Sequence, residues 1–408
     1  MNLLVVMANY PFPPRLGSSI IAFNSIKQLS RSHSIHLVCL GEQRHNDVFL
    51  DFVEKFEFVP KKKLSFFLRL VRQIYYKIAF GIPILPFGWM ISQEMKKRVR
   101  GMIERNKFDA ILLFEMDALP YIDPKYCGNV IVNIEDPLSI KLGRMRSLFG
   151  WFAWLQIPLA FSFLLTVYYE RRFLPIMGRV LLLSKADEQE LRVQSGYDNL
   201  GYMAYGIAKQ RLINVAYDQR TDGMIIFSGS MYHHPNVDGI VFFLKKIFSL
   251  VLQNYPSAIL WIVGAKPDKR IRRAAACFRE HVVITGKVED VSAYLQRAKV
   301  SICPVRLRIG VQTKILEALS WGTPVVTTSA GNSGICGCSG RELWVEDEPH
   351  MFASRVVALL RGKAWHQLSE EGRKLVEERF SWERSAMDLE WHIMHIKEKQ
   401  CKNVTSAL

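Results

Sequence analysis

In residues 303–326 the sequence places a glycine, a lysine and a glutamate within one predicted strand–loop–helix unit. Gly310 lets backbone approach an anion closely, and a helix that begins at about Val311 offers its unpaired first-turn N–H groups to phosphate. Lys314 adds a positive charge, and Glu317 lies three residues on, where its carboxylate could accept two ribose hydroxyls. The pattern predicts a nucleotide-diphosphate site. The spacing alone fits an ordinary βαβ unit with a surface Lys–Glu pair equally well.

The loop before this helix carries two arginines, Arg306 and Arg308, which could bring further positive charge to a diphosphate. Gln312 and Thr313 follow Val311 in the predicted first turn, where backbone N–H groups lack partners within the helix. We therefore assign both arginines and the first-turn residues to the same predicted site.

Apolar strand patterns, glycine-containing loops and helical patterns alternate in both halves of the chain. In the first half, strands are predicted at residues 2–7, 35–40, 110–114 and 130–133, with a loop at 9–17 and a helix at 18–31. In the second half, strands are predicted at 224–227, 258–263, 282–285, 300–304 and 324–328, and helices at about 236–253, 290–297, 312–320 and 350–399. Because βαβ units require parallel strands, the predicted fold is α/β, with two Rossmann-like doubly wound domains facing across a cleft.

The composition describes a positively charged chain with enough apolar residues for more than one core. Of 408 residues, 49% are hydrophobic, and 54 Lys and Arg against 38 Asp and Glu give a formal net charge of +16. This excess favours an anionic partner, either a membrane or phosphorylated substrates; we exclude nucleic acid, because no nucleic-acid module or zinc-spaced Cys/His set occurs. Seven scattered cysteines indicate reduced thiols in the cytosol, and the N-terminus is typical of a first strand rather than a signal peptide.

Two segments have the composition of membrane-associating sequence. Residues 61–82 mix basic with apolar and aromatic residues, which predicts a basic amphipathic helix on an anionic bilayer; the alternative is a packed surface helix. Residues 147–169 contain no charge and carry aromatic residues near both ends, but Pro158 lies in the middle. A monotopic hairpin or an in-plane helix is predicted there, and the alternative is a helix buried between domains.

The glycine–lysine–glutamate segment resembles the donor-binding signature of family-4 retaining glycosyltransferases, which have the GT-B fold. It follows the pattern G-x-x-x-K-x-L-E-A-x-x-x-G-x-P-V-V from Gly310 through Lys314 and Glu317 to Val326. Segments 227–236, 260–264, 286–290 and 380–382 agree with the family in order and spacing, as does the loop at 9–17. The resemblance covers nearly the whole chain, loosely in the first half, and is closest to enzymes of bacterial exopolysaccharide assembly.

The resemblance implies an acceptor-binding domain at residues 1–200, a nucleotide-sugar donor-binding domain at 201–375, and a C-terminal helix at 376–408 that crosses back to the first domain. Further donor-binding positions that it implies are Gly229, Ser230, Asn236, Gly264, Gly286 and Val288. On the acceptor side it points to Gly17 and Ser18. Glu115 and Asp117, which follow the predicted strand at 110–114, are either acceptor-side residues or solvated loop acids.

The chain departs from the family pattern at two places. The earlier of two family glutamates would fall at Ile309, so recognition of the sugar ring must come from elsewhere. Ser230 and Asn236 stand where members often have an arginine and a lysine. The phosphate charge would then be met by Lys314, by a loop arginine and by helix N-termini.

The resemblance implies glycosyl transfer with retained anomeric configuration, independent of metal and of any cofactor beyond the sugar nucleotide itself. Lys314, Glu317 and Arg308 would be the catalytic residues, and the donor phosphate would help to take the acceptor proton. The predicted acceptor is lipid-linked or a polysaccharide, and the predicted location is the cytoplasmic face of the cell membrane, with peripheral or monotopic attachment. The alternatives are another GT-B enzyme, such as a nucleotide-sugar 2-epimerase, and a non-catalytic membrane scaffold.

Overall fold

The fold is taken from a computed structural model, which describes residues 1–14, 17–41, 51–60, 92–135, 137, 139–140, 144, 167–168, 170–208, 215–308 and 310–405, with the backbone alone after residue 396. The predicted membrane segment 61–82 lies outside these residues, as does segment 147–169 except for residues 167, 168. Ile309 also lies outside them. The described chain divides into two compact units, one formed by Met1–Ala204 with Ser385–Leu408 and the other by Tyr205–Arg384.

The first unit contains a seven-stranded sheet whose neighbouring strands are all parallel. Its elements are β1 (Asn2–Met7), α1 (Gly17–Leu29), β2 (Ser34–Gly41), β3 (Lys55–Pro60), α2 (Gln93–Arg105), β4 (Ala110–Leu113), β5 (Val130–Ile134), β6 (Arg179–Leu182), α3 (Lys185–Ser195) and β7 (Leu200–Tyr202). The strand order is β3-β2-β1-β4-β5-β6-β7. Val5 on β1 aligns with Leu37 on one side and Leu112 on the other, and all three are buried, as expected of central parallel strands.

The second unit contains a six-stranded parallel sheet in the order β10-β9-β8-β11-β12-β13. Its elements are β8 (Thr221–Ser228), α4 (His234–Lys246), α5 (Phe248–Asn254), β9 (Ile259–Val263), α6 (Lys269–Ala275), β10 (Val282–Gly286), α7 (Ser292–Arg297), β11 (Ala298–Cys303), α8 (Thr313–Ser320), β12 (Val325–Thr327), α9 (Ser329–Asn332), β13 (Trp344–Val345), α10 (Pro349–Leu360) and α11 (Trp365–Arg379). Helix α12 (Trp382–Thr405) follows. The strand order reverses between β8 and β11, and ligands of such sheets bind beside the carboxyl ends of the strands at this point.

The prediction of two parallel-sheet, Rossmann-like domains is confirmed, and the helices differ from it in two details. The single helix predicted at about 236–253 is two helices, α4 and α5, which meet at Ile247. The break lets Phe248 pack against Phe243 and Phe278, with ring centroids 5.8 and 5.1 Å away, so buried packing overrides the continuous helical pattern. The helix expected from about Val311 begins at Thr313, because Gln312 has a non-helical backbone at the cap position.

The C-terminal helix α12 contacts the first sheet through side chains on its inner face. The Asp388 carboxylate accepts a hydrogen bond from the Ala204 N–H at 3.1 Å, and His392 bonds the Tyr202 carbonyl at 3.0 Å. Within the described ranges, no helix has the length and apolar character needed to cross a membrane.

Candidate functional site

Three neighbouring loops of the second unit are bonded together at the carboxyl edge of its sheet. The Gly229 N–H after β8 donates to the Val263 carbonyl at 3.0 Å, and the Gly264 N–H after β9 donates to the Gly286 carbonyl at 3.1 Å. The Met231 N–H donates to the Ala265 carbonyl at 3.1 Å. These bonds fix the positions of the loops beside the point where the strand order reverses.

Gly264 has no room for a Cβ, and a Cβ at Gly229 would make tight contacts with two side chains. Gly264 has a φ of +156°, and a Cβ there would overlap the Gly229 carbonyl oxygen. Gly229 has a φ of +139°, and a Cβ there would lie 3.0 Å from Asn236 Nδ2 and 3.2 Å from Lys314 Cε. The stem of Lys314 therefore lies directly against the Gly229 backbone.

Lys314 lies in the first turn of α8 among uncharged partners. Its Nζ donates to Asn236 Oδ1 at 2.6 Å and to Gln312 Oε1 at 3.1 Å, and it lies 5.5 Å from the centroid of the Phe227 ring. Among the described residues, none forms an ion pair with it. Burial lowers the pKa of Lys314 below the usual lysine value, because removal from water penalises the charged form.

Glu317 lies one turn along α8 from Lys314 and is half-buried. Burial raises the pKa of its carboxyl, and the positive charge of Lys314 opposes that shift. Cys303, at the carboxyl end of β11, is fully buried, and burial raises the pKa of its thiol in the same way. The cation, the carboxyl and the thiol thus share one poorly solvated environment.

The two predicted loop arginines have different surroundings. Arg306 donates from Nε and Nη2 to the two Asp238 oxygens at 2.9 and 2.6 Å, and its guanidinium lies 4.8 Å from the Phe242 ring centroid. It is therefore held on the exposed side of α4. Arg308 is exposed, two residues before Gly310.

The remaining predicted donor-binding residues lie around Lys314 or along the same edge. Gly310 is buried with a φ of +47°, and its carbonyl oxygen lies so close to Gly334 that a Cβ there would overlap it. Val311 and Thr313 are half-buried at the start of α8. Gly286 has a φ of +73° and open space beside its Cα, and the half-buried Val288 follows it.

The predicted acceptor-side residues lie at the carboxyl edge of the first sheet. Glu115, after β4, accepts a hydrogen bond from the Asn9 amide at 2.8 Å. Gly17 begins α1 beside Ser18, and a Cβ at Gly17 would lie 2.6 Å from Glu135 Oε1. Asp117, by contrast, is exposed on the 3-10 turn Met116–Tyr121.

Sequence reasoning did not include Phe227 or Cys303 in the Lys314 environment, or Gly334 behind Gly310. Phe227 and Cys303 end adjacent strands β8 and β11, so their position at the reversal of strand order is the signal that could have identified them. In the described part of the chain, no three His, Cys, Asp or Glu side chains are placed to hold a metal.

Most of the second unit matches the model of a known protein family. Residues 222–362 match the family described as "Glycosyl transferases group 1". The match begins at the second residue of β8, continues beyond β12 and contains the whole Lys314 environment. It supports a glycosyltransferase domain in that part of the chain.

Known relatives extend the likeness to both units. An "Uncharacterized 44.6 kDa protein in cps region" of Klebsiella pneumoniae is 22% identical over 389 residues, which cover 87% of this chain and 90% of that protein. The crystal structure of Anabaena Alr3699/HepE in complex with UDP matches with a TM-score of 0.62 at 12% identity, over 100% of both chains. The structure of WaaG, a glycosyltransferase involved in lipopolysaccharide biosynthesis, matches with a TM-score of 0.62 at 14% identity, over 94% of this chain and 97% of WaaG. The GT-B fold is thereby confirmed.

Proposed function

We propose that this chain is a retaining glycosyltransferase that moves a sugar, of hexose type, from a nucleotide-diphosphate sugar to a lipid-linked or polysaccharide acceptor. The observation that carries the proposal is Lys314, a desolvated ammonium in the first turn of α8, inside the glycosyl transferases group 1 match. Its hydrogen-bond partners are uncharged, so its positive charge would be available to attract an anion at this edge of the sheet. The HepE structures hold UDP and UDP-glucose, which supports a uridine nucleotide as the first donor to test.

In the proposed reaction, the protein stabilises the departing diphosphate and positions the two substrates. Lys314, the N–H group of the cap residue Gln312 and that of Thr313, where α8 begins, would offset the charge that develops on the leaving phosphate. Glu317 would accept hydrogen bonds from the ribose hydroxyls. The donor phosphate would take the acceptor proton during same-face attack, so retention requires no protein base and the metal-free chemistry needs no further group.

The acceptor side would be formed by the first unit. Asn9 and Glu115 are joined by a hydrogen bond, and Gly17 and Ser18 begin α1, all at the carboxyl edge of that sheet. WaaG's role in lipopolysaccharide biosynthesis and the cps-region relative support an acceptor of the cell envelope. We propose that the enzyme works at the cytoplasmic face of the membrane and binds it through segments 61–82 and 147–169.

Donor turnover tests the reaction. Purified enzyme would be incubated with UDP-hexoses and membrane extract, and released UDP and labelled glycan would be measured. We expect UDP release that depends on the extract and falls at least about a hundredfold in Lys314→Ala, because a charge-assisted contact to the diphosphate is lost. Lys246→Ala is the matched control, since it removes an exposed lysine from the same unit.

Three outcomes would contradict the proposal in different ways. An epimerised sugar formed without acceptor would support the epimerase alternative. No nucleotide binding at all would support the scaffold. Inversion at the anomeric carbon, measured by proton NMR of the product, would contradict the retaining mechanism alone and would leave the proposed sugar transfer unaffected.

Membrane association can be tested separately by vesicle flotation. We expect the full chain to float with vesicles containing phosphatidylglycerol, and to float less with neutral vesicles or in high salt, because exposed charges are screened. Replacement of Lys61, Lys62 and Lys63 with glutamine should reduce flotation. Equal flotation by both proteins would remove segment 61–82 as the anchor.

A further inference from the structure

Asn236 is a buried residue whose side-chain amide is fixed at both ends. Only 5% of the residue is exposed, at the start of α4. Its Nδ2 donates to the Ser230 carbonyl at 3.0 Å, and its Oδ1 accepts from Lys314 Nζ at 2.6 Å. Because the amide would lose the bond to Ser230 if it turned, its oxygen is held facing the ammonium.

Gly229 and Phe227 lie close to the Lys314 side chain and restrict its path. A Cβ at Gly229 would lie 3.0 Å from Asn236 Nδ2 and 3.2 Å from Lys314 Cε, so both side chains lie close to the Gly229 backbone. The Phe227 ring lies 5.5 Å from Nζ. The ammonium is therefore held between Asn236, Phe227 and the backbone of the loop after β8.

Asn236, which accepts a hydrogen bond from the Lys314 ammonium, is neutral. Gln312, the second hydrogen-bond acceptor, is also neutral. The titratable groups that influence Lys314 are Cys303, whose thiol burial keeps protonated, and Glu317, and neither forms an ion pair with it among the described residues. An aspartate at position 236 would have nearly the same shape as asparagine but would neutralise the lysine by direct contact.

We propose that Asn236 is a positioning residue that holds the Lys314 ammonium above Gly229 through an uncharged acceptor, which keeps the full positive charge for an anionic ligand. The inference rests on the proposed donor site. It changes the role of Asn236 from a residue that touches the donor to one that acts through Lys314. An asparagine is required because it can donate to Ser230 and accept from Lys314 without adding charge.

The first test measures UDP binding by calorimetry with the full chain. We expect Asn236→Asp to weaken binding at least about tenfold, because a carboxylate would pair with Lys314 and repel the diphosphate. Asn254→Asp is the matched control: Asn254 is an exposed asparagine in the same unit whose amide also donates to a backbone carbonyl, and the change should leave binding unaltered.

A double-mutant cycle separates positioning from simple structural support. Asn236→Ala should weaken UDP binding when Lys314 is present and have little further effect in Lys314→Ala, since the proposed role passes through the lysine. Equal losses in both backgrounds would overturn the proposal. Asn236→Ser, which keeps a short donor and acceptor, should recover part of the binding and provides a second variant if Asn236→Asp does not fold.

The last measurement needs no ligand. The acetylation rate of Lys314 by acetic anhydride is followed against pH by peptide mass spectrometry. Asn236→Asp should move this profile to higher pH and Asn236→Ala to lower pH, because each changes how well the ammonium is stabilised; an unchanged profile in both would overturn the proposal. If the profiles shift but the wild type does not bind UDP, the positioning role stands and the proposed donor fails.

Discussion

At the scale of single residues, Lys314 is a cation held by neutral groups in a place that water reaches poorly. Its hydrogen bonds go to two amide oxygens, and burial lowers its pKa. A folded protein accepts such a position at a cost in stability, since the charged form is penalised by desolvation. The same arrangement gives a strong interaction with an incoming anion, because less water has to be displaced.

The lowered pKa of Lys314 predicts an alkaline loss of UDP affinity. Binding requires the ammonium, so affinity should be full at neutral pH and fall as the pH rises through the lowered pKa, earlier than for an exposed lysine near 10.5. Lys314→Arg should bind more weakly at neutral pH, because its geometry differs, but its affinity should stay flat across this range. Calorimetry between pH 7 and pH 10.5 checks this, and a parallel decline in both proteins would assign the loss to another group.

At the scale of elements, the carboxyl ends of β9 and β10 carry glycines that differ in what surrounds them. Gly264 faces the Gly229 carbonyl, whereas Gly286 has open space where a Cβ would be. Both have positive φ. Gly286 therefore provides a control in which strain is present without a collision.

We expect Gly264→Ala to lower the free energy of unfolding by more than about 3 kcal/mol, because the loop must move to admit the methyl group. Gly286→Ala should cost about 1 kcal/mol, the usual penalty for a left-handed alanine. Urea denaturation followed by tryptophan fluorescence measures both values. Similar losses in the two variants would show that Gly264 can move away from the Gly229 carbonyl at little cost in free energy.

The C-terminal end of α8 is held by a buried arginine. The Arg220 guanidinium donates to the carbonyls of Trp321 and Gly322 at 3.0 and 3.1 Å, to Ala298 at 2.7 Å, and lies 4.8 Å from the Trp365 ring centroid. Burial lowers the pKa of Arg220 to about 10, which still leaves it charged at neutral pH. A cation at this end stabilises the helix whose other end carries Lys314.

Arg220→Met should lower the free energy of unfolding by about 3 kcal/mol or more, because several buried carbonyls lose their donor. Arg270→Met is the control: Arg270 forms an exposed ion pair with Asp268, so its loss should change stability by less than about 1 kcal/mol. Both are measured by urea denaturation. If the two variants are equally stable, the bonds of Arg220 contribute little beyond those that water would make.

At the scale of the whole molecule, α12 connects the end of the chain to the first sheet through a neutral histidine. His392 Nδ1 accepts from Arg179 Nε at 3.2 Å, so Nε2 carries the proton that is donated to the Tyr202 carbonyl. Burial lowers the pKa of His392 to about 4; the hydrogen bond to the Tyr202 carbonyl and the charge of Asp388 oppose this shift, and Arg179 and His395 add to it. Protonation of Nδ1 would remove the acceptor that Arg179 uses.

This histidine predicts acid sensitivity of the first unit. Its pKa is depressed on folding, so its stabilising contribution is full above about pH 6.5 and is lost as the pH falls towards 4, by up to about 3 kcal/mol. His392→Gln should flatten the decline between pH 6.5 and 4, whereas His350→Gln, at an exposed histidine, should not. Unfolding free energies at several pH values provide the comparison, and an unchanged slope in His392→Gln would assign the acid sensitivity elsewhere.

Sequence patterns determined most of the strands, their alternation with helices and the place of the helix that we predict to bind phosphate. A buried parallel strand is an uninterrupted apolar run, which can be read locally. Gly310, Lys314 and Glu317 lie within eight consecutive residues, so their pattern is local as well. Four strands, β3, β6, β7 and β13, were not predicted. Three of them are edge strands, which lack such a run. The fourth, β6, is an internal strand whose short buried apolar run was missed.

Only the tertiary structure decided the partners of the charged groups. Lys314 is bonded to Asn236, 78 residues away, and Arg306 to Asp238, 68 residues away. In a parallel sheet, adjacent strands are joined through crossover helices, so side chains that meet at one edge are far apart in sequence. The sequence by itself thus determined that a cation stands at the start of α8, while the three-dimensional packing of α4 against that edge decided that a neutral amide holds it and that Arg306 is paired with an acid.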